Sequence, residues 1–184
     1  MKQARSIAIG ALVVTALASV TACRGDGQLA LAPSASNSAA VSSDAALFAL
    51  VTQGQPFSSY ARFPGVDVVT SGSSAHQPFV RVSLNATAAS ALQSGRLPAG
   101  TRFSDGSVIF KEVLPTENGA PTVYTVMYKD ANNSLAGEGW LWAEYAPGGS
   151  VVYSVANRGG ACTGCHLLGQ GRQNDFVRTF ERQR

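Results

Sequence analysis

Cys162, Cys165 and His166 form a Cys-x-x-Cys-His run, "CTGCH", inside the glycine-rich stretch "GGACTGCHLLGQG". Two thiols at this spacing beside an imidazole suit three kinds of chemistry. They can hold zinc, exchange a disulfide, or add across the two vinyl groups of a porphyrin while the histidine ligates its iron. A structural zinc site normally takes four protein ligands. The only other histidine is His76, and the only other cysteine is Cys23, near the N-terminus. A thioredoxin-like pair sits early in a βαβ pattern, whereas this run follows the last β-type segment. The reading favoured over zinc and disulfide is one covalent haem c, with Cys162 and Cys165 holding the porphyrin and His166 as axial iron ligand.

The place of the run in the chain narrows this further. None of the residues after His166 is a methionine, the usual second ligand of small electron carriers. Met127 lies in an earlier β-type segment, where a methionine is more often core filling. With His76 it is the only credible strong sixth ligand, so a six-coordinate electron carrier ranks last. An iron with one open face ranks higher.

The N-terminus says where such a protein would work. "MKQARSIAIGALVVTALASVTAC" has Lys2 and Arg5, an apolar run from Ile7 to Val20, then small residues. That is an export signal, with a run too short for a permanent membrane span. Val20-Thr21-Ala22-Cys23 resembles a bacterial lipobox, which implies acylation of Cys23. Residues 1–22 are thus expected to be a lipoprotein signal peptide. Residues 23–43, rich in Ser and Ala, read as the lipidated cysteine and a flexible linker. Residues 44–184 form one domain by length. The expected location is the bacterial cell envelope, lipid-anchored and facing the periplasm. The leader takes two of the fourteen basic residues, leaving twelve against eleven acidic ones. A nearly neutral chain without a basic cluster gives no support for nucleic-acid binding.

The elements that must position the motif are mostly strands. "DAALFALVTQG" predicts a helix from Asp44, as N-cap, to Gly54, with Leu47, Leu50 and Val51 on one face. Short runs rich in Val, Thr, Tyr, Phe or Trp follow at Val66–Thr70, Phe79–Leu84, Ser107–Leu114, Thr122–Lys129, Gly139–Tyr145 and Val151–Val155. Turns such as "SDGS", "TENGAP" and "APGGS" bound them. Asn85 caps a short interrupting helix that stops near Gly95. A last helix is expected through "NDFVRTFERQR", with Phe176 and Phe180 one turn apart. The fold class is α+β, mainly β: an antiparallel sheet or partial barrel with N- and C-terminal helices and haem c held near the C-terminus.

A mostly β domain ending in Cys-x-x-Cys-His, with "QPFVRVSLN", "FSDGSVIFKEVLP", "MYKD", "GWLWAEY" and "NDFVRTF", resembles the cytochrome P-460 family and its β-type cytochrome c′ relatives. The resemblance runs from about Asp44 to the C-terminus. "SYARFP" is similar to a Tyr-x-x-Trp-Pro near the family's domain start, with Phe63 in place of the tryptophan. It implies that Lys111, in the "DG-x-x-x-x-KE" segment, can bond to the porphyrin rim. Ile109, Lys111 and Val113 share one side of a strand, so burial of the amine against apolar surface would leave part of it neutral and nucleophilic. The resemblance also sets Arg81 near the haem, to pair with a propionate or an iron-bound ligand. Thr125 falls where hydroxylamine-oxidising members carry a distal carboxylate. A hydroxyl is a poor base for the protons that this oxidation releases. Glu112 and Glu144, on neighbouring segments, are substitutes to be tested.

The function expected is that of an exported, lipid-anchored monohaem c-type cytochrome. It acts on small nitrogen compounds, hydroxylamine or nitric oxide, at an open iron site. The alternatives are a non-catalytic NO-binding protein of the β-type cytochrome c′ kind and a simple electron carrier. Lys111 favours catalysis and Thr125 disfavours it, so enzyme status stays open. Expected partners are a small nitrogenous ligand or substrate, a redox partner, the membrane through its lipid and a second copy in a homodimer.

Overall fold

The computed structural model describes residues 40–62, 67–72 and 74–179. The expected leader, Cys23 and most of the linker lie outside these residues, as do Phe63, Val66 and the final residues 180–184. Within them the chain forms an antiparallel sheet of β1 (Ala61–Arg62), β2 (Val69–Thr70), β3 (Phe79–Leu84), β4 (Val108–Leu114), β5 (Val123–Lys129), β6 (Trp140–Tyr145) and β7 (Val151–Tyr153). The path runs β1-β3-β4-β5-β6-β7, and β2 also pairs with β3. This is the mainly β, α+β architecture expected, and β3 has the bounds read from its pattern.

Alternation along the strands gives the sheet two apolar faces. Val108, Phe110, Val126, Tyr128, Leu141 and Tyr145 point to one of them. Helix α1 (Asp44–Ala49), continued by a π turn over Leu50–Gly54, covers that face with Leu47 and Val51, both fully buried. Burial of each such side chain stabilises the fold by about 1.5–3 kcal/mol. The cap is Ser43, whose hydroxyl accepts from the Ala46 amide, and Asp44 is the first helical residue. The Asp44 carboxylate instead reaches away from the helix, where it accepts from Ser154 Oγ and from the Val155 amide, at 2.7 and 2.8 Å. Tyr145 donates to the Asp44 carbonyl, so the helix start is tied to the chain just before the Cys-x-x-Cys-His run. The packed chain also begins slightly ahead of Asp44, since Val41 is buried and its carbonyl accepts from Asn133.

Val80, Val82, Leu84, Ile109, Val113, Met127, Trp140 and Trp142 point to the other face. Helix α2 (Ala86–Ala89) is held at its edge by Asn85. The buried Asn85 side-chain oxygen accepts from the amides of Ala88 and Val108, both at 2.9 Å. The C-terminal segment crosses the same face with α3 (Thr163–His166) and a 3-10 turn at Gly169–Arg172. Of the last helix expected through "NDFVRTFERQR", residues 174–178 are not helical, and 180–184 lie outside the described residues. Asp175 and Phe176 have φ of 53° and 66°, left-handed values that an α-helix cannot contain.

Candidate functional site

Strand register lays two transverse rows across the second face. One runs Val82–Lys111–Thr125–Glu144–Tyr153, and the next runs Leu84–Ile109–Met127–Trp142. The C-terminal segment closes over them and leaves a cavity of about 240 Å³. Lys111, Thr125, Met127, Trp142, Glu144 and Tyr153 line it from the sheet. Cys162, Cys165 and His166 line it from the closing segment, and His76 from a 3-10 turn at Ser74–His76. The three residues of the motif, Lys111 and Thr125 thus meet at one cavity, although up to 55 positions separate them.

Glycines let the closing segment come this near. Gly159, with φ of 69°, lies against the indole of Trp142, with Trp142 Nε1 2.6 Å from where its Cβ would sit. Gly171 lies against the backbone carbonyl of His166, which a Cβ there would strike. Between them, His166 Nδ1 donates to the Phe176 carbonyl at 2.7 Å. That bond fixes the tautomer and leaves Nε2 with its lone pair for a metal. The Trp142 ring meets the imidazole edge-on, 4.8 Å between centroids at 76°. Trp142 is itself held by its N–H to the Gly137 carbonyl, 2.9 Å away. Burial, and next the charge of Lys111, bring the His166 pKa down to about 4, against the opposing pull of the Phe176 carbonyl. The ring is therefore neutral at ordinary pH, as a ligand must be.

Asp175 anchors the loop that carries the Phe176 carbonyl. Its carboxylate accepts from Lys129 Nζ and the Phe103 amide, both at 3.0 Å, and its carbonyl accepts from Trp140 Nε1. Lys129 also sits 5.0 Å over the Trp140 ring. These contacts hold Asp175 and Phe176 in their left-handed conformation.

Cys162 is half-buried and Cys165 exposed, and both are free thiols. Burial, then the negative charge of Glu144, pushes the Cys162 thiol up, opposed by a hydrogen bond with Tyr153. The Tyr153 hydroxyl also accepts from the Ala161 amide, tying the start of the motif to β7.

Two expected residues lie elsewhere. Arg81 pairs in register with Glu112, so both belong to the face covered by α1. There Arg81 lies 3.5 Å from both Asp67 and Glu112, and Arg62 binds Glu112 at 2.9 Å. The structure does not bring Arg81 or Glu112 to the cavity, because the even positions of β4 face the opposite way from Lys111. Glu144, the other suggested base, does line the cavity and bonds His76 Nε2 at 3.0 Å.

The donor set fits a haem. An apolar floor, two free thiols and a neutral imidazole with one committed nitrogen open onto one space. Sequence reasoning missed Trp142, Tyr153 and the Lys129–Asp175 pair. The first two carry a signal of sorts, as aromatic residues on the last two β-type segments before the motif. A family model described as cytochrome P460 matches residues 61–179 of the chain. No curated protein matches it.

Proposed function

The chain belongs to the cytochrome P460 family, which implies haem binding, and from that premise we propose that it carries one covalent haem c and oxidises hydroxylamine at an open iron site. Cys162 and Cys165 would hold the porphyrin and His166 Nε2 the iron. The bound haem supplies a redox-active iron able to take a nitrogen ligand and pass electrons to an external acceptor. The observation that carries the reading is the His166–Phe176 hydrogen bond at 2.7 Å, which readies one imidazole nitrogen at a cavity that both cysteines also line. Two contacts support a free sixth position. Both ring nitrogens of His76 face hydrogen-bond partners, Glu144 and Lys111. Met127 stands beside Trp142 in register, and Trp142 packs on His166 itself. Lys111 borders the same cavity, and its amine is the group that would bond to the porphyrin rim.

Thr125 favours a second reading. The centre of the polar row is a hydroxyl with apolar Ile109 and Met127 also at the cavity, a lining suited to holding nitric oxide without turnover. We take Cys23 as the lipid-bearing residue that keeps the protein at the envelope membrane, facing the periplasm.

The experiment is an absorption spectrum and intact mass of the full chain, made in a host that attaches haem c, followed by hydroxylamine-driven reduction of an external acceptor. Covalent haem, a high-spin spectrum and acceptor reduction support the proposal. A red-shifted reduced Soret band lost in Lys111→Arg marks the rim bond. High-spin haem without turnover but with tight NO binding moves the assignment to the second reading. A six-coordinate low-spin spectrum overturns both. A mass showing acylated Cys23 as first residue tests the anchor.

A further inference from the structure

Three titratable side chains from distant parts of the chain form a hydrogen-bonded line at the cavity. Glu144 Oε1 lies 3.0 Å from His76 Nε2, and His76 Nδ1 lies 3.3 Å from Lys111 Nζ. A carboxylate only accepts, so Nε2 carries the ring hydrogen and Nδ1 is left as acceptor toward Lys111. The line also has a direction. The His76 side chain is 12% exposed and that of Glu144 24%, so it runs from an enclosed ring to a carboxylate that water reaches.

Other cavity side chains cannot take this part. Thr125, set between Lys111 and Glu144 by register, offers a hydroxyl that does not ionise near neutrality. His166 gives Nδ1 to the Phe176 carbonyl, and on the hydroxylamine reading its Nε2 would take the iron. Histidine is the side chain that both takes and gives a proton near neutral pH, and His76 is the one with a carboxylate behind it.

We propose that His76, oriented by Glu144, is the proton carrier of this cavity, with Lys111 as the group that hands protons to it. The proposal rests on the hydroxylamine reading. As a substrate N–H or O–H bond breaks, its proton goes to Lys111, whose own hydrogen passes to His76 Nδ1. The Nε2 hydrogen moves to Glu144 Oε1 and from there to water. The electrons left on the substrate go to the one-electron acceptor that the oxidation already requires.

Carbon monoxide is the probe, on the ferrous full-length holoprotein, because its C–O stretch responds to nearby hydrogen-bond donors without any turnover. His76→Leu removes the acceptor of the Lys111 amine and lets that amine donate to the ligand, so the band is expected to move to lower wavenumber, and Glu144→Gln to move it less, with haem content and urea midpoint little changed. An unmoved band in His76→Leu means that the line does not end at the bound ligand and overturns the proposal. In hydroxylamine turnover, His76→Gln is expected to lower kcat by about 100-fold, with KM little changed. Full turnover in His76→Gln also overturns it. A moved band in His76→Leu, beside a wild-type protein that never turns over hydroxylamine, overturns the substrate reading instead, and leaves the Lys111–His76–Glu144 line assigned to the ligand.

Discussion

The segment that carries His166 and the sheet that faces it reach one cavity with different kinds of contact. Around His166 the neighbours are backbone atoms and rings at close range: the Phe176 carbonyl, the Trp142 indole and the α-carbons of Gly159 and Gly171. Behind them stands a buried ion pair, Lys129–Asp175, that shapes the loop. On the sheet the cavity is met by the partly exposed side chains of Lys111, Thr125 and Glu144, and Lys111 and Glu144 both bond the His76 ring. The first arrangement has little room to adjust, because backbone cannot move without the fold. The second can change its chemistry one residue at a time. Stability and ligand geometry are therefore coupled on the His166 side and separable on the sheet side.

The largest effect should come from breaking the ion pair. Lys129→Met leaves the Asp175 carboxylate buried and unpaired, which costs about 3–5 kcal/mol. Urea unfolding of the holoprotein checks this. Lys129→Met with Asp175→Asn should recover much of the loss, since the uncompensated charge is then gone. On the sheet side Glu144→Gln also removes a charge, yet its partly exposed pair with His76 should cost under about 1 kcal/mol. Equal losses from the two substitutions would erase the distinction between the walls.

Next is the close approach. Gly171→Ala forces a Cβ into the His166 carbonyl, with an expected cost of about 1–3 kcal/mol and reduced haem content. Gly164, inside the same motif, has open space around it, so Gly164→Ala should be near neutral. The pair of variants separates a packing requirement from a general intolerance of change around Cys162–His166. Trp142→Phe comes third. It removes the bond to the Gly137 carbonyl, worth about 1 kcal/mol, and frees the ring that fixes the His166 plane. The test is a shift in the iron–histidine stretch at nearly unchanged unfolding midpoint.

The same division explains what could be read from the sequence. Period-two segments such as Phe79–Leu84 and the Asn85 cap depend on local pattern, and they fall where expected. The first residues of the expected terminal helix do not, because Asp175 is drawn out of helical geometry by Lys129 and Trp140, 46 and 35 residues away. Arg81 lies off the cavity for a related reason. Whether it shares a face with Lys111 depends on the β3–β4 register, Val82 opposite Lys111, which no residue of either strand announces. The Cys-x-x-Cys-His spacing is local and can be read directly, whereas the carbonyl bonded to His166 and the glutamate bonded to His76 come from pairings the chain makes only when folded.

Thr125→Val is the smallest change that still bears on the comparison. The substitution keeps the shape of the side chain and its β-branch, so the strand loses no propensity and the row no volume. Thr125 stands between Lys111 and Glu144, and those two side chains bond through His76, which comes from outside the sheet. The unfolding midpoint should therefore shift by no more than about 0.5 kcal/mol equivalent, the range of substitutions that touch no packing or charge. If the hydroxyl only positions a ligand, CO and NO affinities should change by less than about tenfold while the Lys111–His76–Glu144 line continues to pass protons. A loss of turnover as large as that in His76→Gln would instead make Thr125 part of the line. A drop in stability to match Gly171→Ala would mean that the sheet wall is as tightly constrained as the one around His166.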